Sequence, residues 1–192
     1  MSSEGSSIVY FTATSLNGFI ADEHHSLDWL FAVPDADPGM SAGFLASVGA
    51  QVMGSATYLW LLEHEGLLAE PRKWAEFFGD LPTAVLTSRD LPAPEGADIG
   101  FLRGPVAGHV DGLRERAAGK NVWIVGGGDV AGQFLDAGAL DRIVVTVAPV
   151  LLAGGAPVLP RRVEADRLRL KAVDRVGPFV QLVYAVVPST AG

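Results

Sequence analysis

The chain has 192 residues, 49% apolar and 19% charged, with no cysteine and a formal net charge of −8. That length and apolar content fit one domain around one substantial core. A sequence pI near 4.9 argues against a nucleic-acid or anionic-membrane partner, because phosphate backbones are held by clustered Lys and Arg, so an anionic ligand here needs a local positive site.

Zero cysteines exclude disulfides and thiolate chemistry. The start, MSSEGSS, has neither the basic opening nor the apolar run of a signal peptide, and no apolar stretch approaches the roughly 20 residues that span a bilayer. The expectation is a cytoplasmic, membrane-free single domain over 1–192, with 1–7 as a flexible tail.

Ile8 to Thr14 (IVYFTAT) is short, β-branched and aromatic and runs into Ser15-Leu16-Asn17-Gly18, which predicts a buried strand entering a loop. Ala50 to Met53 ends at Gly54 and predicts a second strand, followed by a helix over Ala56 to Glu63. Thr83 to Thr87 is a third strand, and Leu91 to Gly96 reads as a loop. Val106, Val110, Leu113 and Ala117 recur at helical spacing, and Asn121 to Val125 forms another strand. A second helix carries Val130, Phe134, Leu135 and Ala137, with Gly138 placed to end it. Arg142 to Leu152 is the longest apolar run, with Pro149 closing its regular part, and Ala153 to Pro157 reads as a loop. Leu168 to Val173 and Phe179 to Val187 flank Val176-Gly177-Pro178 and predict a terminal antiparallel hairpin. No internal repeat is present. Strands apolar throughout, alternating with helices, indicate a mostly parallel sheet covered on both faces.

The triple glycine Gly126-Gly127-Gly128 sits where a strand hands over to a helix. In a parallel sheet such turns collect ligands, because helix N-termini present unpaired N–H groups and partial positive charge. Side chains there would obstruct a phosphate and any positive φ the turn requires. The alternative is a tight turn with no ligand. Gly126, Gly128 and Ala131 also satisfy G-x-G-x-x-A. A dinucleotide fingerprint of that kind normally opens its fold and has an acidic residue after the next strand, whereas here the next strand ends in Ala148-Pro149.

The ordered set Tyr10 to Ala21, Ser26-Leu27-Asp28-Trp29-Leu30, Val52 to Tyr58, Leu86 to Arg89, Val125 to Gly128 with Gln133-Phe134-Leu135, and Ala148 to Leu152 with Gly154-Gly155 resembles the dihydrofolate reductase superfamily. The resemblance is particularly to the branch related to the C-terminal reductase domain of bacterial riboflavin biosynthesis. The resemblance implies an α/β three-layer fold, a mostly parallel central sheet with helices on both faces and a C-terminal antiparallel hairpin. It implies an NADPH site in which Ala13 and Ile20 border the nicotinamide, Gly54 and Thr57 meet the pyrophosphate, and Thr87, Ser88 and Arg89 face the 2′-phosphate. The glycine turn, with Val125, Gly126, Gly127, Gly128 and Val130, completes it. Arg89 also suits that role on its own chemistry, as a guanidinium beside two hydroxyls at a strand end. A homodimer is expected from the same branch, with the C-terminal strands as a possible contact.

Three positions depart from the pattern. Folate reductases grip the pterin with a carboxylate on the helix after the mobile loop, but Pro38 to Val48 carries small and apolar residues around Phe44 and Leu45. Asp28, Asp35 and Asp37 are the available substitutes, and dihydrofolate itself is a doubtful substrate. Asp129 replaces a frequent basic residue. At about 6 Å and an effective dielectric near 20 it would repel a phosphate charge by roughly 3 kcal/mol, so it is expected to turn away and act as a local cap. Ala131 lacks the aromatic ring near the nicotinamide, and Asn17 stands where the branch usually has Asp.

Other features have bland explanations. Asp22-Glu23-His24-His25 is adjacent in sequence but splayed in an extended loop, so no metal is expected. Trp60, Trp74 and Phe77-Phe78 suit packing. Trp29 and Thr146 are candidate substrate contacts, each with an alternative as a loop staple or a strand filler. Arg161-Arg162, Arg167, Arg169 and Lys171 read as edge charges that discourage aggregation, with a sugar phosphate as the alternative. No G-x-S-x-G elbow supports a hydrolase. The expected function is hydride transfer from NADPH to a pteridine, pyrimidine or related small heterocycle, with Asp28 or a water as proton source and the Ser15 to Ser26 loop closing over the ring. The second class is a nucleotide-binding protein without turnover.

Overall fold

The computed structural model describes residues 6–34 and 42–188. The described residues form ten strands: β1 Ile8–Thr14, β2 Phe19–Ala21, β3 Val48–Gly54, β4 Thr83–Leu86, β5 Ile99–Leu102, β6 Asn121–Gly126, β7 Arg142–Val147, β8 Ala156–Pro157, β9 Leu168–Val176 and β10 Phe179–Val186. The α-helices are α1 Asp28–Phe31, α2 Ala42–Ser47, α3 Ser55–His64, α4 Arg72–Phe78, α5 Val110–Arg116 and α6 Gly128–Asp136.

Eight strands form the main sheet in the order β5-β4-β3-β6-β1-β7-β10-β9. The first six run parallel, and β10 then pairs antiparallel with β7 and with β9. Pleating sorts the apolar residues between two layers. Ile8, Tyr10, Val52 and Ile124 meet α5 and α6 through Val110, Leu113, Val130 and Phe134. Their neighbours Val9, Phe11 and Trp123 meet Phe44 of α2, while Met53 and Val85 meet Tyr58, Leu62 and Trp74 of α3 and α4. Such strands, apolar on both faces, need helices on both sides. The three-layer α/β expectation and the terminal hairpin are therefore present.

The apolar run from Arg142 stays in the sheet through Val147, and Ala148 N still donates to Thr14 O at 2.8 Å, so its regular part closes at Pro149 as expected. Three expectations need correction. The Val106–Ala117 helix breaks into a 3-10 turn, Val106–Gly108, and α5, because His109 N–H closes onto Val106 O at 2.8 Å and Gly108 is a poor helix former. Within the loop expected over Ala153 to Pro157, Ala156 and Pro157 instead form β8, antiparallel to β2. Arg161 and Arg162 lie outside the hairpin, in the segment before β9. By contrast Arg169 and Lys171 are exposed on β9, the outermost strand, where charge disfavours further pairing. Gly138 adopts φ +66 immediately past α6, as a helix-ending glycine should.

Candidate functional site

β3 and β6 are neighbours in the sheet, yet the chain leaves them in opposite directions. From β3 it passes through α3 and α4 to β4 on one side; from β6 it passes through α6 to β7 on the other. The helices occupy opposite faces, α3 against Met53 and Val85 and α6 against Val52 and Ile124. This is a topological switch point, the place where open α/β sheets form a crevice beyond their carboxyl edge. Two helices of 10 and 9 residues begin there with Gly54 and Gly127 as N-caps, so two sets of unpaired N–H groups converge.

The glycines let the two turns touch. A Cβ on Gly54 would stand 2.9 Å from Val130 Cγ2, and one on Gly126 would stand 3.1 Å from Thr57 Oγ1. A Cβ on Gly128 would collide with the Pro157 and Val158 carbonyls. None of Gly126, Gly127 and Gly128 has a positive φ, so the backbone-freedom argument does not apply to them and close packing takes its place. Gly127 alone faces space, its nearest neighbour being Ile20 Cδ1 at 3.9 Å. The Gly126–Gly127 peptide is cis.

Thr87, Ser88 and Arg89 follow β4, one strand out from β3. Arg89 Nη2 donates to Ser55 Oγ at 3.0 Å and Arg89 N to Thr87 Oγ1 at 3.0 Å, which brings the exposed guanidinium to the first residue of α3. Asp90 pairs with Arg103 instead. Val125 packs at the rim of the α2 and α3 layers. Ala13, Ile20, Gly54, Thr57, the glycine turn and Arg89 thus share one end of the sheet.

On the α1 side, Ala13 of β1 pairs with Thr146 of β7, which pairs with Gln181 of β10. Gln181 Nε2 donates to the buried Thr146 Oγ1 at 3.2 Å. Trp29 packs with Ala13, Leu30, Ala148 and Phe179, and its buried indole N–H has no acceptor. Asp28 opens α1 and is exposed. Asp35 and Asp37 lie outside the described residues, and α2 carries AGFLAS with no carboxylate. Sequence reasoning missed Ser55 and Gln181. A lone amide in the apolar run FVQLVYAVV was the available signal for Gln181.

The Ser15–Ser26 segment is tied down. Leu16 N donates to Val150 O at 2.7 Å and Val158 N to Gly18 O at 2.9 Å, Asn17 Nδ2 reaches Leu152 O at 2.7 Å, and β2 pairs with β8. Asp22 accepts from the backbone N–H groups of Ser26 and His24 at 2.8 Å each; the Ser26 bond is the main cause holding this carboxyl below its ordinary range. Asp129 does turn away from the turn, but not as a backbone cap. It accepts from Gln133 Nε2 at 2.9 Å and pairs with Arg161 at 3.0 Å, contacts that lower its pKa. Two recesses of about 560 and 580 Å³, lined by Trp74 and Asp98 and by Phe77 and Lys120, lie at the opposite end of the sheet.

Comparison with known proteins places this arrangement. The uncharacterized protein YwjB of Bacillus subtilis is 27% identical over 176 residues, covering 92% of this chain and 95% of that protein. A putative riboflavin biosynthesis protein from Shewanella sp. PV-4 superposes with a TM-score of 0.72 at 26% identity, covering 94% and 99%. Dihydrofolate reductase from Enterococcus faecalis, solved with NADP(H), shares the fold with a TM-score of 0.58 at 17% identity over 94% and 96%. The RibD C-terminal domain model matches residues 68–182, which takes in β4 to β9, the first half of β10 and the glycine turn, and the chain belongs to that reductase-like family.

Proposed function

We propose that the protein is an NADPH-dependent reductase that delivers a hydride to a pyrimidine, pteridine or related small heterocycle. The topological switch point between β3 and β6 carries the reading, with Arg89 hydrogen-bonded to Ser55 at the first residue of α3. The N–H groups opening α3 and α6 suit a diphosphate. Gly54, Thr57, Gly126, Gly127, Gly128 and Val130 would line it, while Thr87, Ser88 and Arg89 would take the 2′-phosphate. Ala13 and Ile20 would flank the nicotinamide, whose chemistry when bound is hydride donation. The substrate would lie over Ala13, Thr146 and Gln181 beside Trp29, where orientation and water exclusion are the protein's contribution. Exposed Asp28 or water would supply the proton. The same reading makes the protein a cytoplasmic homodimer.

Calorimetric titration with NADPH, followed by absorbance assays over pterins, pyrimidines and quinones, tests it. Uptake with oxidation by one compound supports the reductase. No uptake rules the reading out. Uptake without any oxidation points instead to a nucleotide-binding protein, which the missing carboxylate on α2 favours.

A further inference from the structure

Residues 156–161 run as a strap across the start of α6. Three contacts seat it. The Pro157 and Val158 carbonyls occupy the space a side chain at Gly128 would need, Tyr10 Oη donates to Val158 O at 2.9 Å, and Val158 N donates to Gly18 O at 2.9 Å. The strap also carries β2 through the β2–β8 pairing, and β2 places Ile20 over Gly127.

At its end the strap is fastened by one side chain. Arg161 Nη2 pairs with Asp129 at 3.0 Å and Nε with Asp136 at 2.8 Å, while Nη1 donates to Pro160 O at 2.9 Å. The Arg161 side chain approaches α6 closely because position 132 is glycine; a Cβ there would stand 2.8 Å from Arg161 Cζ. A planar fork spanning two carboxylates seven positions apart, about two helical turns, is geometry that lysine cannot reproduce.

We propose that Arg161 is a positioning residue of the nucleotide site: it latches the strap, and with it β2 and Ile20, onto α6, and it holds the Asp129 carboxylate along the helix and neutralises it. The second half rests on the NADPH reading above. Without Arg161 an uncompensated negative charge remains in the first turn of the helix that meets the diphosphate, where an anion is repelled. The strap also loses its only side-chain ion pairs to α6 among the described residues.

Arg161→Gln, Arg161→Lys, Asp129→Asn and the double variant Arg161→Gln/Asp129→Asn separate the two effects. In the nucleotide-free protein, Arg161→Gln speeds amide hydrogen exchange at Val158 and across 156–161 and 18–21, with β1 and β6 unchanged; unchanged exchange in the strap overturns the latch. At low ionic strength Arg161→Gln weakens NADPH binding about tenfold, a loss that added salt reduces. Asp129→Asn in that background restores most of it, and Arg161→Lys retains more affinity than Arg161→Gln. Equal affinity for Arg161→Gln and wild type, or a loss that Asp129→Asn leaves untouched, overturns the charge role. A wild-type protein that takes up no NADPH removes the nucleotide reading and the charge role with it, while the exchange result still decides the latch.

Discussion

Under the proposed function, coenzyme choice turns on Arg89. Its neighbour Asp90 is engaged by Arg103, so the guanidinium keeps its charge for a ligand while Ser55 aims it at the α3 N-terminus. Charge-assisted bonds to a phosphate are worth about 1.5–3 kcal/mol. Arg89→Ala should therefore weaken NADPH roughly 10- to 100-fold and NADH about threefold or less; equal losses in parallel titrations would contradict the assignment. Gly128 makes a different kind of demand. Its φ is not positive, and its lack of a side chain serves the strap behind it. Gly128→Ala should lower stability by about 1–3 kcal/mol, as overpacking does, with a lower thermal midpoint even in the absence of nucleotide. A midpoint equal to wild type would mean the strap does not press on that turn.

At the level of elements, the strap packs Val158 and Leu159 against the core, and two carboxyls that tie it and the β2 loop in place titrate. Asp129 has a lowered pKa through Gln133 and Arg161, and Asp22 has one through Ser26 and His24. A carboxyl with a depressed folded pKa gives stability that is full above the ordinary value near 4 and is lost as pH falls through the folded value. Asp129 is 64% exposed, so solvent screening keeps its share to about 1 kcal/mol or less. Protection of the Val158 amide relative to its intrinsic exchange rate should fall below about pH 4 while the main sheet stays protected. Arg161→Gln should remove the share that Arg161 gives Asp129, leaving the larger share from Gln133, and Asp22→Asn should remove the Asp22 share. β1 and the start of β6 were legible because their apolar runs end at turn residues, and α3 and α6 because glycines precede them. β8 was not, since a two-residue strand has no periodicity and finds β2 more than 130 positions away. Gly108 hid the break before α5, and Arg161 looked like a surface charge because its partners on α6 lie 25 and 32 positions back.

For the whole molecule, the sheet is covered unevenly. α5 and α6 shield the central strands, but the hairpin extends beyond them, and only Leu168, Tyr184 and Val186 of β9 and β10 pack at the margin of that layer. The pairings Tyr184 to Leu170, Leu182 to Val173 and Val180 to Arg175 put Leu170, Val173 and Val180 on one face, and they are 54%, 56% and 44% exposed. Large apolar side chains exposed on one face are what a contact between copies buries. Two copies related by a two-fold axis can bury it against itself, because an isologous contact needs only one self-complementary patch. Arg169 and Lys171, exposed on the same edge strand, oppose extension of the sheet itself, which favours packing face to face over edge to edge. Leu170→Lys with Val173→Lys should convert the proposed dimer into a monomer, so that light scattering reads 20.1 kDa instead of about twice that mass, while the circular dichroism spectrum stays that of the wild type. The exposed positions contribute nothing to the core clusters, so folding does not depend on them. A wild-type protein that already runs as a monomer would show that this face serves no second copy.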